Sequence, residues 1–264
     1  MIASHSRVLA RAAYLSLYQY FGIYSPKAYV LTWIPRVLLE TLFLALVAQF
    51  IGGRDLLLFT VVGFAGYRTL HTTVSFTSSS VSSELFAGTI PLLVGSPTDP
   101  TLVLTGRNLA WMFHGVSTGV LTIAIAALLG LPITPASLLA ALGALVVIEL
   151  AAYALGLFVG SVLLRSPGYG IVAGNVVGFT LFSISGVTVP LASLPGPVQA
   201  VALAAPLSHG LLALREILGP GDPTVYVPLL AQEALVGFAY LAVALLSFRL
   251  FLHDARSRGT LDFH

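Results

Sequence analysis

Cysteine is absent from the sequence, which excludes disulfides, thiol nucleophiles and cysteine-ligated metals. Charge is scarce as well: acidic and basic residues make up 8% of the chain, against about a quarter in a soluble domain. No long polar block interrupts the rest, so there is no room for a sizeable soluble domain. The net charge of +2 is slight and the basic residues are dispersed, which argues against a nucleic-acid surface; membrane lipid is the expected surrounding. Lys27 is the only lysine and follows a proline, and no Gly-x4-Gly-Lys-Ser/Thr phosphate loop occurs. ATP hydrolysis therefore has to come from another chain if it is needed. The stretch 1–21 has no clean apolar core followed by small residues and is not read as a signal peptide. What is plentiful is apolar: 57% hydrophobic residues and a mean hydropathy of +0.97.

The apolar residues come in long runs separated by short turns. A helix crossing the hydrocarbon core needs about 20 apolar residues, and six runs reach that scale: 28–51, 56–81, 104–129, 136–164, 169–189 and 225–248. Gly52-Gly53-Arg54-Asp55, Gly130-Leu131-Pro132 and Arg165-Ser166-Pro167-Gly168 are the helix-stopping turns. The expectation is an all-α integral membrane protein, a single domain over 1–264 with six transmembrane helices. Residues 1–25 carry Arg7 and Arg11 among Tyr14, Tyr18, Tyr20 and Tyr24 and suit an interfacial helix. Those tyrosines could guide an amphiphile or simply anchor at headgroup depth. Between the fifth and sixth spans, 190–221 is cut by Pro190, Pro195, Pro197, Pro206 and Pro220, too many for one straight helix. Short helices that enter the bilayer and return, closing the outer end around Pro190, Pro195 and Pro206, are expected there. A polar tail, 249–264, ends the chain. Lys and Arg near the span ends place both termini and the loop 82–100 in the cytoplasm, with Arg54 and Arg215 outside.

Arg68 and Glu149 lie inside spans, where a charge costs about 2.5–3.5 kcal/mol. Two readings stand: a contact in a transport pathway or its gate, or an interhelical ion pair that fixes the bundle. Arg36 and Glu40, four apart, can pair along one helix. The hydroxyl run Thr72, Thr73, Ser75, 77–80, Ser82 and Ser83 could line a hydrated vestibule, or bond its own helix carbonyls and pack between helices. His71 and His114 have no acid or second histidine at metal-ligand spacing and suit buried polar roles.

The segment 84–97, ELFAGTIPLLVGSP, is too short and too broken by Gly88, Pro91, Gly95 and Pro97 to span. It reads as a loop with a short helix at the cytoplasmic surface, where a soluble partner presses on the membrane domain. Its order Glu84, Gly88-Thr89, Leu92-Leu93, Ser96-Pro97 resembles the loop after the second span in type-2 permeases of ATP-binding-cassette exporters. The resemblance continues at Ser185-Gly186, Pro190-Leu191, Leu194-Pro195, Ala205-Pro206-Leu207-Ser208-His209 and Leu214-Arg215, and in the tail at Arg258-Gly259-Thr260-Leu261. It covers essentially the whole chain, and the Pro-Leu-Ser-His form is most similar to antibiotic-resistance and lipo-oligosaccharide export members. Two departures are the apolar Leu85-Phe86-Ala87, where the family often places charges, and Pro91, which would let Thr89 cap a helix starting near Ile90.

The resemblance implies a permease subunit working as a dimer, with a second copy or a related chain. It is driven by a cytoplasmic ATP-binding-cassette ATPase dimer that binds ATP and Mg, with no cofactor in this chain. Glu84, Phe86, Gly88, Thr89, Leu92 and Leu93 are the expected ATPase contacts. The expected cargo of this efflux is a hydrophobic or amphiphilic drug, antibiotic or natural product; a lipid-linked saccharide is the alternative. Two rivals of other classes remain. Ser183-Ile184-Ser185-Gly186 resembles the Gly-x-Ser-Gly of intramembrane serine proteases, with His209 as the nearby base. A secondary transporter would commonly show repeated halves and paired broken helices.

Overall fold

The computed structural model describes residues 2–23, 25–86, 88–89, 92, 95–96, 98–166 and 168–258, and among them every regular element is helical. Helix α1, Ile2–Ile23, turns Ala12, Ser16 and Tyr20 inward at a spacing of four, while Tyr14, Tyr18 and Phe21 are exposed. The inward face is fastened by polar contacts: Ser16 Oγ accepts from Ala110 N at 3.0 Å, and the Tyr20 hydroxyl lies 2.8 Å from His114 Nδ1.

Ser25 opens the next helical stretch, its hydroxyl accepting from Ala28 N at 3.3 Å with Pro26 in the first turn. A π-helical turn, Tyr29–Trp33, leads into α2, Ile34–Phe86. Gly53 breaks α2 at φ 68°, ψ −158°, a region open essentially to glycine alone. Ala45 and Ala48 before the break share a buried cluster with Leu57 and Val61 after it, and Glu40 meets Arg68 at 2.9 Å. The two arms, 34–51 and 54–86, therefore run antiparallel about the turn expected from sequence.

Helix α3, Pro100–Gly106, starts at Asp99, whose carboxylate accepts from Thr101 N at 2.9 Å. It is separated at Arg107 and Asn108 from α4, Leu109–Leu128, where the sequence suggested one run. A reciprocal pair, Ser137 N to Thr134 Oγ1 at 3.1 Å and Thr134 N to Ser137 Oγ at 2.9 Å, opens α5, Pro135–Val162. The fifth run is shorter than expected: α6, Gly170–Ile184, stops where Ser185 and Gly186 (φ 85°) turn the chain. Then come α7, Gly196–Ala204, and α8, Ser208–Leu218, bent by 88°. The last helix, α9, Pro223–Arg258, outruns the expected 225–248. Ser208 and Leu207 carry no exposed surface at the α7–α8 break.

Close helix contact rests on small residues, as membrane packing requires. Helix α5 sits between α2, α4, α8 and α9. A Cβ on Gly156 would come 2.9 Å from Thr77 Cβ, and one on Gly160 2.7 Å from Val81 Cβ. Helix α6 presents Gly170, Gly174 and Gly178 in one row to the second arm of α2, where a Cβ on Gly174 would lie 2.6 Å from Ser75 Cα. The hydroxyl run meets this row: Ser75 Oγ donates to Asn175 Oδ1 at 3.0 Å and Ser78 Oγ to Gly170 O at 2.9 Å. Thr72, Thr73, Ser75, Thr77, Ser78 and Ser82 are all buried. Four helical stretches among the described residues are long and apolar enough to cross a membrane: Pro26–Glu84, Pro100–Leu128, Pro135–Val162 and Pro223–Asp254. The bent α7–α8 pair makes a fifth if it is one span.

Candidate functional site

Three polar constellations stand out against this apolar bundle. The first fastens the loop. Glu84, near the end of α2, is buried at 6% exposure, and Arg107 Nη1 donates to its Oε2 at 2.9 Å. Thr89 Oγ1 donates to the same carboxylate and, at 2.9 Å, to the Glu84 backbone oxygen. One carboxylate thus joins the end of α2, the loop, and the joint between α3 and α4. Around this anchor the loop is open: Gly88 (φ 64°) and Leu92 are exposed, Leu92 by 74%. The side chains of Phe86 and Leu93, and with them Ile90, Pro91 and the tail motif 259–261, lie outside the described residues. Glu84 and Thr89 thus face each other, whereas Gly88 and Leu92 present surface outward.

The second constellation lies mid-span. Arg68 and Glu149 do not meet. Arg68 pairs with Glu40 across the α2 hairpin, and Glu40 also accepts from Arg36 Nε at 2.9 Å, the local pair expected from spacing. Glu149, without exposed surface, accepts from Thr73 Oγ1 at 2.5 Å through Oε1; its Oε2 has no hydrogen-bond partner. Gly115 of α4 makes room for this carboxyl, since a Cβ there would collide with Glu149 and Thr73. Among the described residues no Lys, Arg or His lies within 4.0 Å of Glu149. The interhelical ion pair involving Arg68 exists, with Glu40 as its partner.

The third organises the proline-rich segment and includes a residue that the sequence reading missed. Pro190 precedes a 3-10 turn, Pro195 precedes α7, and Pro206 sits in the break before α8. Leu207, at φ 106°, is the one positive-φ non-glycine residue among those described. It is held there by Glu233 of α9, whose Oε1 accepts from Leu207 N at 2.6 Å and Oε2 from Gly210 N at 2.9 Å. A buried carboxylate so placed answers the orphan donors and the positive end of α8. At the other side of α8, Arg215 Nη2 donates to Gly186 O at 2.7 Å and Val187 O at 2.9 Å, with its guanidinium 3.5 Å over the Phe59 ring. The signal for Glu233 was present: a lone acid inside the sixth apolar run.

Ser185 Oγ is buried with no hydrogen-bond partner, and His209 Nε2 lies 3.1 Å from Leu203 O. The nucleophile–base hydrogen bond of a serine protease is not formed between them. Among the described residues, no group of three His, Cys, Asp or Glu is placed to hold a metal ion.

A family model described as ABC-2 family transporter protein matches residues 44–248, well over half of the chain. No curated protein matches the sequence. The matched stretch takes in the loop anchor, Arg68, Glu149 and the Glu233-capped break, and the chain belongs to the ABC-2 family of transporters as a membrane component of transport.

Proposed function

We propose that this chain is the permease subunit of an ATP-driven exporter that moves a hydrophobic or amphiphilic compound out of the cytoplasm or inner leaflet. The observation that carries the reading is the Glu84–Arg107–Thr89 anchor. A partner pressing on the exposed Gly88 and Leu92 surface beside Thr89 would move α2, α3 and α4 together, because a single buried carboxylate ties them. ABC-2 permeases normally work with an ATPase subunit, and this loop is its proposed seat, with Phe86 and Leu93 as further proposed contacts. ATP and Mg belong to that partner. The second arm of α2 is about 50 Å long at 1.5 Å per residue, well beyond a roughly 30 Å hydrocarbon core, so its end and the loop stand clear of the membrane.

In this reading the α2 hairpin supplies two spans, α3–α4, α5, α6 and α9 supply four more, and α7–α8 is a re-entrant pair closing the outer end. Helix α6 is short, about 22 Å, and local bilayer adjustment accommodates it. Helix α1 lies at the cytoplasmic interface, both termini are cytoplasmic, and two permeases form the working unit. Export of a lipid-linked saccharide is the second cargo for the same machinery.

The test is purification of tagged protein from its native membrane, with partner identification and an ATPase assay, beside Thr89→Arg and Leu92→Arg. An ATPase that co-purifies with the wild type and is lost with either variant supports the reading. Co-purification unchanged by both variants overturns the assignment of the loop.

A further inference from the structure

An ion pair within a membrane span is ordinarily shut away from lipid. The Arg36–Glu40–Arg68 triad is not: the Arg36 and Glu40 side chains are 67% and 34% exposed. Counting from the Gly53 turn at 1.5 Å per residue, these groups lie about 20–25 Å along the hairpin, in the cytoplasmic third of a roughly 30 Å hydrocarbon core. The charges do not cancel. Both Glu40 oxygens are engaged, Oε1 by Arg36 and Oε2 by Arg68, which leaves two guanidinium groups against one carboxylate. Arg36 uses its Nε, and its Nη edge makes no hydrogen bond among the described residues. Excess positive charge facing hydrocarbon is costly even away from the bilayer centre, so this face calls for water or a counter-charge.

Beside the triad lies a groove of about 230 Å³ between the two arms of α2 and α6, lined by Glu40, Phe43, Phe64, Tyr67, Phe179 and Phe182. Phe43 and Phe179 are 66% and 61% exposed. Thr180 and Ser183 of α6 are also exposed, their hydroxyls donating to Val176 O and Phe179 O of their own helix. Aromatic faces would welcome a cation, but two arginines at the same place repel one, and the balance favours an anion.

We propose that this groove binds an anionic amphiphile, its carboxylate, phosphate or sulfonate on the open edge of Arg36 and its ring or acyl body over Phe43 and Phe179. The proposal rests on the exporter reading only for identifying the bound compound as cargo; the binding site stands on the geometry. An anionic lipid and an anionic compound arriving from water share this chemistry.

The test uses the purified full chain in phosphatidylcholine nanodiscs, titrated with 8-anilinonaphthalene-1-sulfonate and with its uncharged analogue N-phenyl-1-naphthylamine, with empty discs subtracted. Arg36→Gln weakens the sulfonate at least tenfold and leaves the neutral probe within twofold; Arg36→Lys retains most of the sulfonate affinity. Phe43→Ala weakens both probes. Equal loss of both probes in Arg36→Gln, or no loss of either, overturns the proposal. Added phosphatidylglycerol that displaces the sulfonate identifies bilayer lipid as the occupant, and undiminished binding identifies a compound from water. ATPase association is scored on the same preparations. Loss of that association with charge discrimination intact sinks the exporter reading alone, and the converse sinks the anion site alone.

Discussion

Glu233 and Glu149 are both carboxylates without exposed surface, yet only Glu233 has both oxygens answered by donors, the N–H groups of Leu207 and Gly210. Truncating it strands two buried donors, each worth about 1–3 kcal/mol when left unmade. Glu233→Leu is therefore expected to destabilise the protein by roughly 2–5 kcal/mol and to release the strained Leu207 turn. Glu233→Gln, which keeps one acceptor oxygen, costs less, on the order of 1 kcal/mol. Thermal unfolding in one detergent ranks the three proteins; equal melting temperatures would show that the cap does not hold α8. Sequence made the mid-span acids visible as a class, because any charge in an apolar run is conspicuous. It did not say what each one meets. The Arg68 partner is Glu40, across a hairpin turn, and the Glu233 partners are backbone groups 23 and 26 residues away. Such partners depend on how helices pack, which no residue spacing encodes.

Among the helices, packing is set by where side chains are missing. Gly174 lies against the backbone of the second α2 arm, with its absent Cβ 2.6 Å from Ser75 Cα, whereas Gly143 of α5 has nothing within 4 Å. Gly174→Ala forces α6 away from α2 and is expected to cost about 1–3 kcal/mol, as overpacking does. Gly143→Ala fills open space in a helix and should be neutral or stabilising by up to about 1 kcal/mol. Melting curves of the two variants that shift in the same direction would contradict this account of the interface. The turn at Gly52–Gly53 was legible because two glycines and a charged pair interrupt an apolar run. The α6 glycine row, at 170, 174 and 178, was not picked out from sequence, and its partner surface, the buried Ser75 and Ser78 hydroxyls, was legible only as two open alternatives. The structure buries those hydroxyls between helices. The early stop of α6 falls at Ser185-Gly186, and the sequence reading ran past it because Val187 and Val189 carry the apolar pattern on to 189.

At the scale of the whole molecule, composition alone establishes a membrane protein, and the apolar runs anticipate the helical bundle. The family, read first as an order of weak motifs, is borne out by the match over 44–248. The surfaces proposed for partner and cargo are assembled from distant segments, a loop tied down by Arg107 and a groove shared by α2 and α6, and sequence order does not bring these together. The central claim is that ATP hydrolysis elsewhere is transmitted through the Glu84 anchor to the bundle. Its most direct measurement is flux of a transported compound in proteoliposomes holding the permease and its co-purified ATPase, for wild type, Glu84→Gln and Arg107→Gln. Flux that requires ATP, with hydrolysis retained but flux falling at least tenfold in both variants, is the predicted result. Flux that persists without ATP and collapses when an ion gradient is dissipated would contradict it and make the chain a secondary transporter.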